Sequence, residues 1–141
     1  MPTNTAATVP PPRQDPRQVS NTLKKTVNYN DAGISSGVAF DNSLPLAAFI
    51  LKVVVEIVTA FNATTTNVLT VGTNSTTYND IVNAADTNEG AIGVTEVTRA
   101  LGRSLAATAD KVVYAKYTQS GTAASAGQAI IVIEYEGGWS S

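Results

Sequence analysis

The sequence predicts an all-β domain, an antiparallel β-sandwich or barrel. Short segments rich in β-branched and aromatic residues alternate between apolar and polar positions, which is the period of a strand. Turn residues separate these segments at short spacing, and no segment of helical period exceeds one or two turns. The 141 residues are enough for one domain of this class.

The longest run of strand-forming residues is FILKVVVEIVTAF, residues 49–61. Its odd-numbered positions are apolar with one exception, whereas Lys52 and Glu56 interrupt the even-numbered ones, so we expect the odd positions to face the core. The run spans roughly 40 Å, which is long for one strand, and we expect a bend or bulge to divide it between two sheets. The even face is too apolar for open water, and we expect another strand, a neighbouring subunit or the N-terminal arm to half cover it.

Further strands are predicted on both sides of this run. They are LKKTVNYN from Leu23, ISSGVAF from Ile34, VLTVGT from Val68, a weakly alternating segment at 94–101, KVVYAKYT from Lys111 and AIIVIEYE from Ala129. We expect hairpins between the central run and residues 68–73, and between residues 111–118 and 129–136. The central run and the last strand are expected at the centre of the fold. A helix of one or two turns is predicted after Thr77, since Asp80 follows at the spacing of a capping box.

The N-terminal residues differ from the rest in composition. Residues 1–23 hold five of the six prolines and few large apolar residues, so this segment cannot bury enough surface to offset its ordering entropy. We therefore divide the chain into a flexible or extended, Pro-rich basic N-terminal arm, residues 1–23, and a β-sandwich domain, residues 24–141.

Charge is distributed unevenly between these parts. Residues 1–30 contain Arg13, Arg17, Lys24 and Lys25 against one acidic residue, a net charge of +3, and the remaining residues contain five basic against ten acidic ones, a net charge of −5. Either the basic residues only keep a tail soluble, or the arm docks on an acidic surface of a like subunit or another protein. Four cations without interleaved aromatic residues are too few to indicate nucleic acid binding.

Two residue types that dominate enzyme and metal chemistry do not occur in the sequence. There is no Cys and no His, which excludes disulfides, thiolate metal sites, cysteine nucleophiles and the commonest general base. The N-terminus has no apolar signal-peptide core and no apolar run reaches the roughly 18 residues of a membrane span. We expect a soluble protein that is made without export and uses no cofactor or metal.

Carboxylates are the remaining candidates for catalysis. Glu134 and Glu136 lie two positions apart on one predicted strand, a separation that a glycoside hydrolase could use. The simpler interpretation, which we prefer, is that both mark the solvent face of that strand. Asp80 and Asp86 could bind a hard cation, but no Asp-rich ligand loop surrounds them, and solvated turns explain them better.

Trp139 follows two glycines beyond the last predicted strand. An indole at a chain end needs a surface to cover, either an edge of its own domain or a neighbouring subunit, and we favour the neighbouring subunit. The Thr- and Ser-rich loops at 62–67 and 119–126 allow a second interpretation, a module that binds carbohydrate on a host surface. Aromatic side chains at the loop tips would favour such binding, and these loops have none.

Three segments after the Pro-rich start together resemble small virion structural proteins of tailed bacteriophages. They are LKKTVNYNDAGISSGVAF, LPLAAFILKVVVEIVTAFNATTTNVLTVGT and DKVVYAKYTQSGTAASAGQAIIVIEYE. In such proteins a long V-x-V-x-V-x-T-A-F-N strand precedes an L-x-V-G-T strand and a closing A-G-x-A-x-V-x-I-E-Y strand. The resemblance covers residues 23–137 and implies a jelly-roll-type β-sandwich, often trimeric, that sits outside the capsid as a cement or decoration protein.

The absence of Cys and His from the sequence is consistent with this resemblance. A cement protein needs no catalytic site, cofactor or small-molecule substrate, and its expected partners are the major capsid protein and copies of itself, with no nucleic acid or membrane. Its expected location is the capsid exterior of the virion. We predict Arg13, Arg17, Lys24, Lys25 and Trp139 as partner-binding residues. Placement in the neck or tail is an alternative, as is the carbohydrate-binding module.

Overall fold

The computed structural model describes residues 20–137, and these form two antiparallel β-sheets and no helix. The strands are β1 (Ser20–Asn28), β2 (Val38–Ala39), β3 (Phe49–Thr59), β4 (Thr66–Gly72), β5 (Gly93–Glu96), β6 (Tyr114–Ser120) and β7 (Gln128–Glu136). One sheet has the order β1-β7-β3-β5 and the other the order β2-β6-β4. The prediction of an all-β, antiparallel, jelly-roll-like sandwich is confirmed.

A single apolar cluster fills the space between the two sheets. Its members from the four-stranded sheet alternate along β1, β3 and β7, as expected of strands with one buried face. The other sheet contributes Leu69, Val71, Ala115 and Tyr117, and the Tyr117 ring lies 4.6 Å from that of Phe61. No helix in residues 20–137 is long and apolar enough to cross a membrane.

The inner strands of the larger sheet are β3 and β7. They pair with each other along almost their whole length, while β1 adds to β7 and β5 adds to β3. The expectation that the central run and the last strand lie at the centre of the fold is therefore confirmed for this sheet.

A β-bulge at Leu51 changes which residues of β3 are buried. Ile50 pairs with Tyr135 and Lys52 pairs with Glu134, so Leu51 is an extra residue without a partner on β7. The extra residue shifts the residues before the bulge by one position relative to those after it. Because side chains alternate with a period of two, this shift moves them to the opposite face of the sheet. Ile50 is consequently buried, whereas Phe49 and Leu51 are 45% and 42% exposed.

The predicted core face of β3 is thus correct at positions 53, 55 and 57 and wrong at 49 and 51. A second register shift lies between Ile57 and Thr59. Bulges were expected in this run, but they do not divide it between sheets, since all of β3 belongs to the four-stranded sheet.

Both predicted hairpins are wrong. The central run and residues 68–73 lie in different sheets, as do β6 and β7. In both cases the connection between the two consecutive strands crosses from one layer of the sandwich to the other. Each strand then pairs with a strand that is distant in sequence. Alternation identifies the buried face of a strand but not its neighbour, so the error is one of pairing.

The helix predicted after Thr77 does not form. Asp80 instead accepts hydrogen bonds from the Thr73 amide at 2.7 Å and the Thr73 hydroxyl at 2.6 Å, closing residues 73–80 into a loop. The loop lies over the outer face of the three-stranded sheet, where the Tyr78 and Tyr114 rings stack at 4.5 Å. The predicted strand at 94–101 is shorter than expected, since β5 covers only Gly93–Glu96.

The described chain begins inside the segment predicted as the arm. Strand β1 starts at Ser20, and Leu23 is buried in the core with 3% exposure. The last residues predicted for the arm therefore belong to the sandwich. Residues 1–19 lie outside the described residues, so the division into arm and domain stays a prediction for them.

Candidate interaction surface

The outer face of the four-stranded sheet is formed by alternate residues of β1, β7, β3 and β5. Paired residues on neighbouring strands point to the same side, so two rows of side chains cross this face. One row is Lys24, Val132, Val54 and Glu96, and the next is Thr26, Ile130, Glu56 and Val94. We refer to these eight residues, together with Ile92 beside Val94, as the outer face.

The outer face is apolar at its centre and at its β5 edge. Val54, Ile130 and Val132 are half-buried among their neighbours. Ile92 and Val94 are 73% and 67% exposed, the highest values among the exposed large apolar residues of the described chain. Glu56 lies between Ile130 and Val94, so this face carries two apolar groups beside charged residues. Exposed apolar side chains rimmed by polar ones are typical of a protein interaction site.

Charged residues surround this apolar centre. Lys24 and Glu96 lie at opposite ends of one row, and Lys52 lies opposite Glu134 at the end of the face nearest the bulge. Glu134 is half-buried and Glu136 is exposed. Both glutamates point to the outer side of β7, which agrees with the simpler interpretation of this pair as solvent-face residues.

The structure separates the two predicted partner-binding lysines. Lys24 is exposed on the outer face, opposite Val132. Lys25 is half-buried and lies opposite the core residue Ile131, so it points toward the inner side of the edge strand. A lysine that points inward on an edge strand is a known protection against unspecific pairing. One partner surface therefore cannot contact both side chains from the same side of the sheet.

The other three predicted partner-binding residues cannot be placed. Arg13, Arg17 and Trp139 lie outside the described residues, and their role stays a prediction.

The two loops considered for carbohydrate binding contact each other. The side-chain amide of Asn62 donates through Nδ2 to the Ser125 hydroxyl at 3.0 Å, and its Oδ1 accepts from the backbone N–H of Ser125 at 2.8 Å. The Thr64 hydroxyl accepts from the Thr122 amide at 2.6 Å, and the Thr66 and Ser120 hydroxyls are 2.7 Å apart. These polar side chains thus join the loops to one another, which leaves fewer groups for a sugar.

Asp80 and Asp86, the residues considered for a cation, are held by different partners. Asp80 closes the 73–80 loop, while Asp86 forms a bidentate ion pair with Arg99 at 2.8 and 3.0 Å. The hydrogen bond from Arg99 lowers the pKa of Asp86 and raises that of Arg99. Within residues 20–137 no three potential ligand side chains are grouped as a metal site would require.

This ion pair lines an open depression of about 560 Å³ next to β5, together with Glu96 and Arg103. Two carboxylates and two guanidinium groups lie in it, so opposite charges are balanced. The depression adds mixed charge beside the exposed apolar residues of β5.

Two features of the described chain were not predicted from the sequence. The first is the exposed apolar pair Ile92 and Val94. The only sign of it in the sequence is that two large apolar residues occur in a polar, glycine-containing segment, AIGVTE. Glu89 is 4% exposed, and burial raises its pKa. Its carboxylate accepts a hydrogen bond from the Thr87 hydroxyl. Nothing in the sequence distinguishes Glu89 from the surface carboxylates.

Comparisons with known proteins give fold relatives only among solved structures. No protein family model matches this chain, and no curated protein sequence matches it.

Two solved phage capsids contain chains with this fold. A chain of the cyanophage Pam1 capsid asymmetric unit is 18% identical, with a TM-score of 0.64 over 96% of this chain and 99% of that chain. A chain of the acid-stable capsid of the Helicobacter pylori bacteriophage KHP30 is 25% identical, with a TM-score of 0.57 over 84% of this chain and 87% of that chain. The resemblance to phage virion structural proteins is supported by these chains, which match over most of their length.

Proposed function

We propose that this chain is a virion structural protein, a trimeric capsid cement protein that binds the outer surface of a phage head. The similarity to the KHP30 capsid chain supports this most directly, because it covers 84% of this chain at 25% identity. The chain would stabilise the shell through contacts of the β-sandwich and of the N-terminal residues with the major capsid protein and with its own copies.

The outer face gives this proposal a physical basis. Its exposed apolar residues need a partner to leave water, and its charged rim can orient that partner. A shell repeats the same site many times, so contacts that are individually weak add up to tight overall binding. The basic N-terminal residues add attraction to an acidic surface, and the described sandwich needs no chemistry beyond packing.

The test is the number of copies in the particle. We expect purified virus particles to contain this chain at a molar ratio comparable to that of the major shell protein, measured by quantitative mass spectrometry. A ratio of a few per cent would place the chain at a neck, tail or unique vertex. Absence from particles would contradict a structural role in the virion.

A further inference from the structure

The four-stranded sheet ends in two edge strands, β1 and β5. An edge strand presents backbone N–H and C=O groups that have no partner in the sheet and can pair with another chain. Within residues 20–137, no strand pairs with the far side of β1 or of β5.

The phase of hydrogen bonding shows which residues of β1 present these groups. The Tyr29 amide donates to the Gly127 carbonyl at 3.0 Å, so by antiparallel alternation the odd-numbered residues of β1 bond to β7. The even-numbered residues Thr22, Lys24 and Thr26 then point their backbone groups away from β7. The Asn28 amide follows the same phase, since it donates to the Asp31 carboxylate at 2.8 Å instead of to β7.

Hydrogen bonds alternate in the same way along β5. The Val97 amide donates to the Val53 carbonyl at 2.8 Å, and Thr95 lies two residues away in the same register opposite Val55. Val94 and Glu96 therefore point their backbone groups away from β3, toward the edge of the sheet.

The backbone phase allows several antiparallel registers of the two edges, and one of them also pairs opposite charges. In that register Lys24 lies opposite Glu96 of the partner subunit, and Thr26 lies opposite Val94 of the partner subunit. All four residues have backbone groups that point away from their own sheet, toward the other strand. Their side chains also share the outer face. A lysine thus meets a glutamate, which is a favourable cross-strand pair, and a threonine meets a valine, so that two β-branched side chains lie side by side.

We infer that β1 of one copy pairs antiparallel with β5 of a second copy, extending the four-stranded sheet from subunit to subunit. This inference deepens the proposed self-association and rests on it. The strand directions agree, because β1 and β3 run in the same sense and β5 runs opposite to both. Pairing would also cover Val94, which is 67% exposed in the single chain.

Lysines on edge strands also serve to prevent pairing. Lys25, which points inward, fits that purpose. Lys24 points outward and meets a carboxylate in the matching register, so it would admit β5 of another copy and oppose an edge that carries a basic residue at that position.

Pairing of one edge with a different edge is heterologous. Such contacts close into a ring when the rotation between subunits allows it and otherwise continue as a filament. Closure after three copies would give the proposed trimer.

A disulfide can test this register, since the natural chain contains no Cys. We would make Thr26→Cys together with Val94→Cys and oxidise the purified full-length protein mildly. Directly opposite residues in this register have Cα atoms about 5.5 Å apart, within the range of a disulfide. Within one chain the two positions are separated by three strand spacings, roughly 14 Å, so any bridge must join two copies.

The matched control combines Thr22→Cys with Val94→Cys. It shifts one thiol along β1 by four residues, roughly 13 Å, out of the inferred register. We expect non-reducing gels to show covalent trimers for the first variant and monomers for the control, while the solution mass of the unmodified protein is that of a trimer.

The other outcomes separate the two proposals. An open-ended ladder of cross-linked species would support the edge pairing and contradict closure at three. A trimeric mass without cross-links would overturn the edge pairing and leave the trimer in place. A monomeric mass without cross-links would overturn both, and the copy number in virus particles would still decide the virion role.

A charge exchange gives an independent readout. We expect Lys24→Glu or Glu96→Lys alone to weaken self-association at least tenfold, and the double variant to restore it, measured by analytical ultracentrifugation. Lys111→Glu is the control for a charge reversal elsewhere on the surface. Equal weakening in single and double variants would contradict the pairing of these two residues.

Discussion

Glu89 is a carboxylate buried at the edge of the core, with 4% of its surface exposed. Its hydrogen bonds from Thr87 and from backbone amides favour the charged form, but the loss of solvation is larger and raises its pKa. The pKa of Tyr117 is also raised, first by burial and then by the charge of Glu89. Glu89 therefore links the stability of the sandwich to pH.

The sign of this link follows from the direction in which the pKa of Glu89 moves on folding. A raised pKa means that the folded state binds the proton more tightly than the unfolded state does. The resulting contribution to stability is fully present below the unfolded-state pKa and is lost as the pH rises through the folded-state pKa. Ionisation of Glu89 therefore contributes a loss of stability as the pH rises through its folded-state pKa.

We predict that Glu89→Gln reduces the loss of stability between about pH 4 and pH 8, because Gln keeps an acceptor oxygen but cannot ionise. The measurement is thermal unfolding by circular dichroism across this range. Glu56→Gln, which removes an exposed carboxylate of β3, is the matched control for the loss of one carboxylate from the surface. A profile identical in wild type and Glu89→Gln would contradict the role of this side chain.

At the scale of single elements, the bulge in β3 decides which of two adjacent apolar residues supports the core. Ile50 has no exposed surface, while Leu51, the extra residue, is 42% exposed. Uninterrupted alternation through residues 49–61 would assign these two residues the other way round. The difference has a consequence that stability measurements can detect.

We predict that Ile50→Ala lowers the free energy of unfolding by about 2–5 kcal/mol, because it leaves a cavity in a packed core. Leu51→Ala should change it by less than about 0.5 kcal/mol, as is usual at an exposed site. Urea denaturation of both variants checks this. If Leu51→Ala lowered the free energy of unfolding more than Ile50→Ala does, the strand would have no bulge at this position.

At the scale of the whole molecule, the proposed shell binding depends on chain outside the sandwich as well as on the outer face. The boundary matters for any truncation, because Leu23 is a core residue and β1 begins at Ser20. Deleting residues 2–23 would damage the sandwich, whereas deleting residues 2–19 leaves every described strand intact.

We predict that the 2–19 deletion keeps the β-sheet circular dichroism spectrum but lowers occupancy on purified shells at least tenfold, since it removes most of the predicted arm of residues 1–23, including Arg13 and Arg17. A double variant with both arginines changed to Ala shows how much of the loss is due to charge. Unchanged occupancy of the deletion variant would contradict a role for this segment in binding.

The sequence alone was sufficient for the fold class, the approximate positions of most strands and the alternation at positions 53, 55 and 57. These properties are local, since a strand with one buried face must alternate apolar and polar residues whatever it pairs with. The amino-acid composition likewise excluded cysteine and histidine chemistry without any structure.

The tertiary structure decided which strands are neighbours, where the bulge lies and which residues form the outer face. Both hairpin predictions failed because pairing between β3 and β7, or between β4 and β6, depends on how two sheets pack over one core, and residues far apart in the chain determine that packing. Lys24 and Lys25 are adjacent in sequence but point to opposite sides of an edge strand. Ile92, Val94 and Glu96 become a candidate interface only because β5 lies at the edge of the sheet.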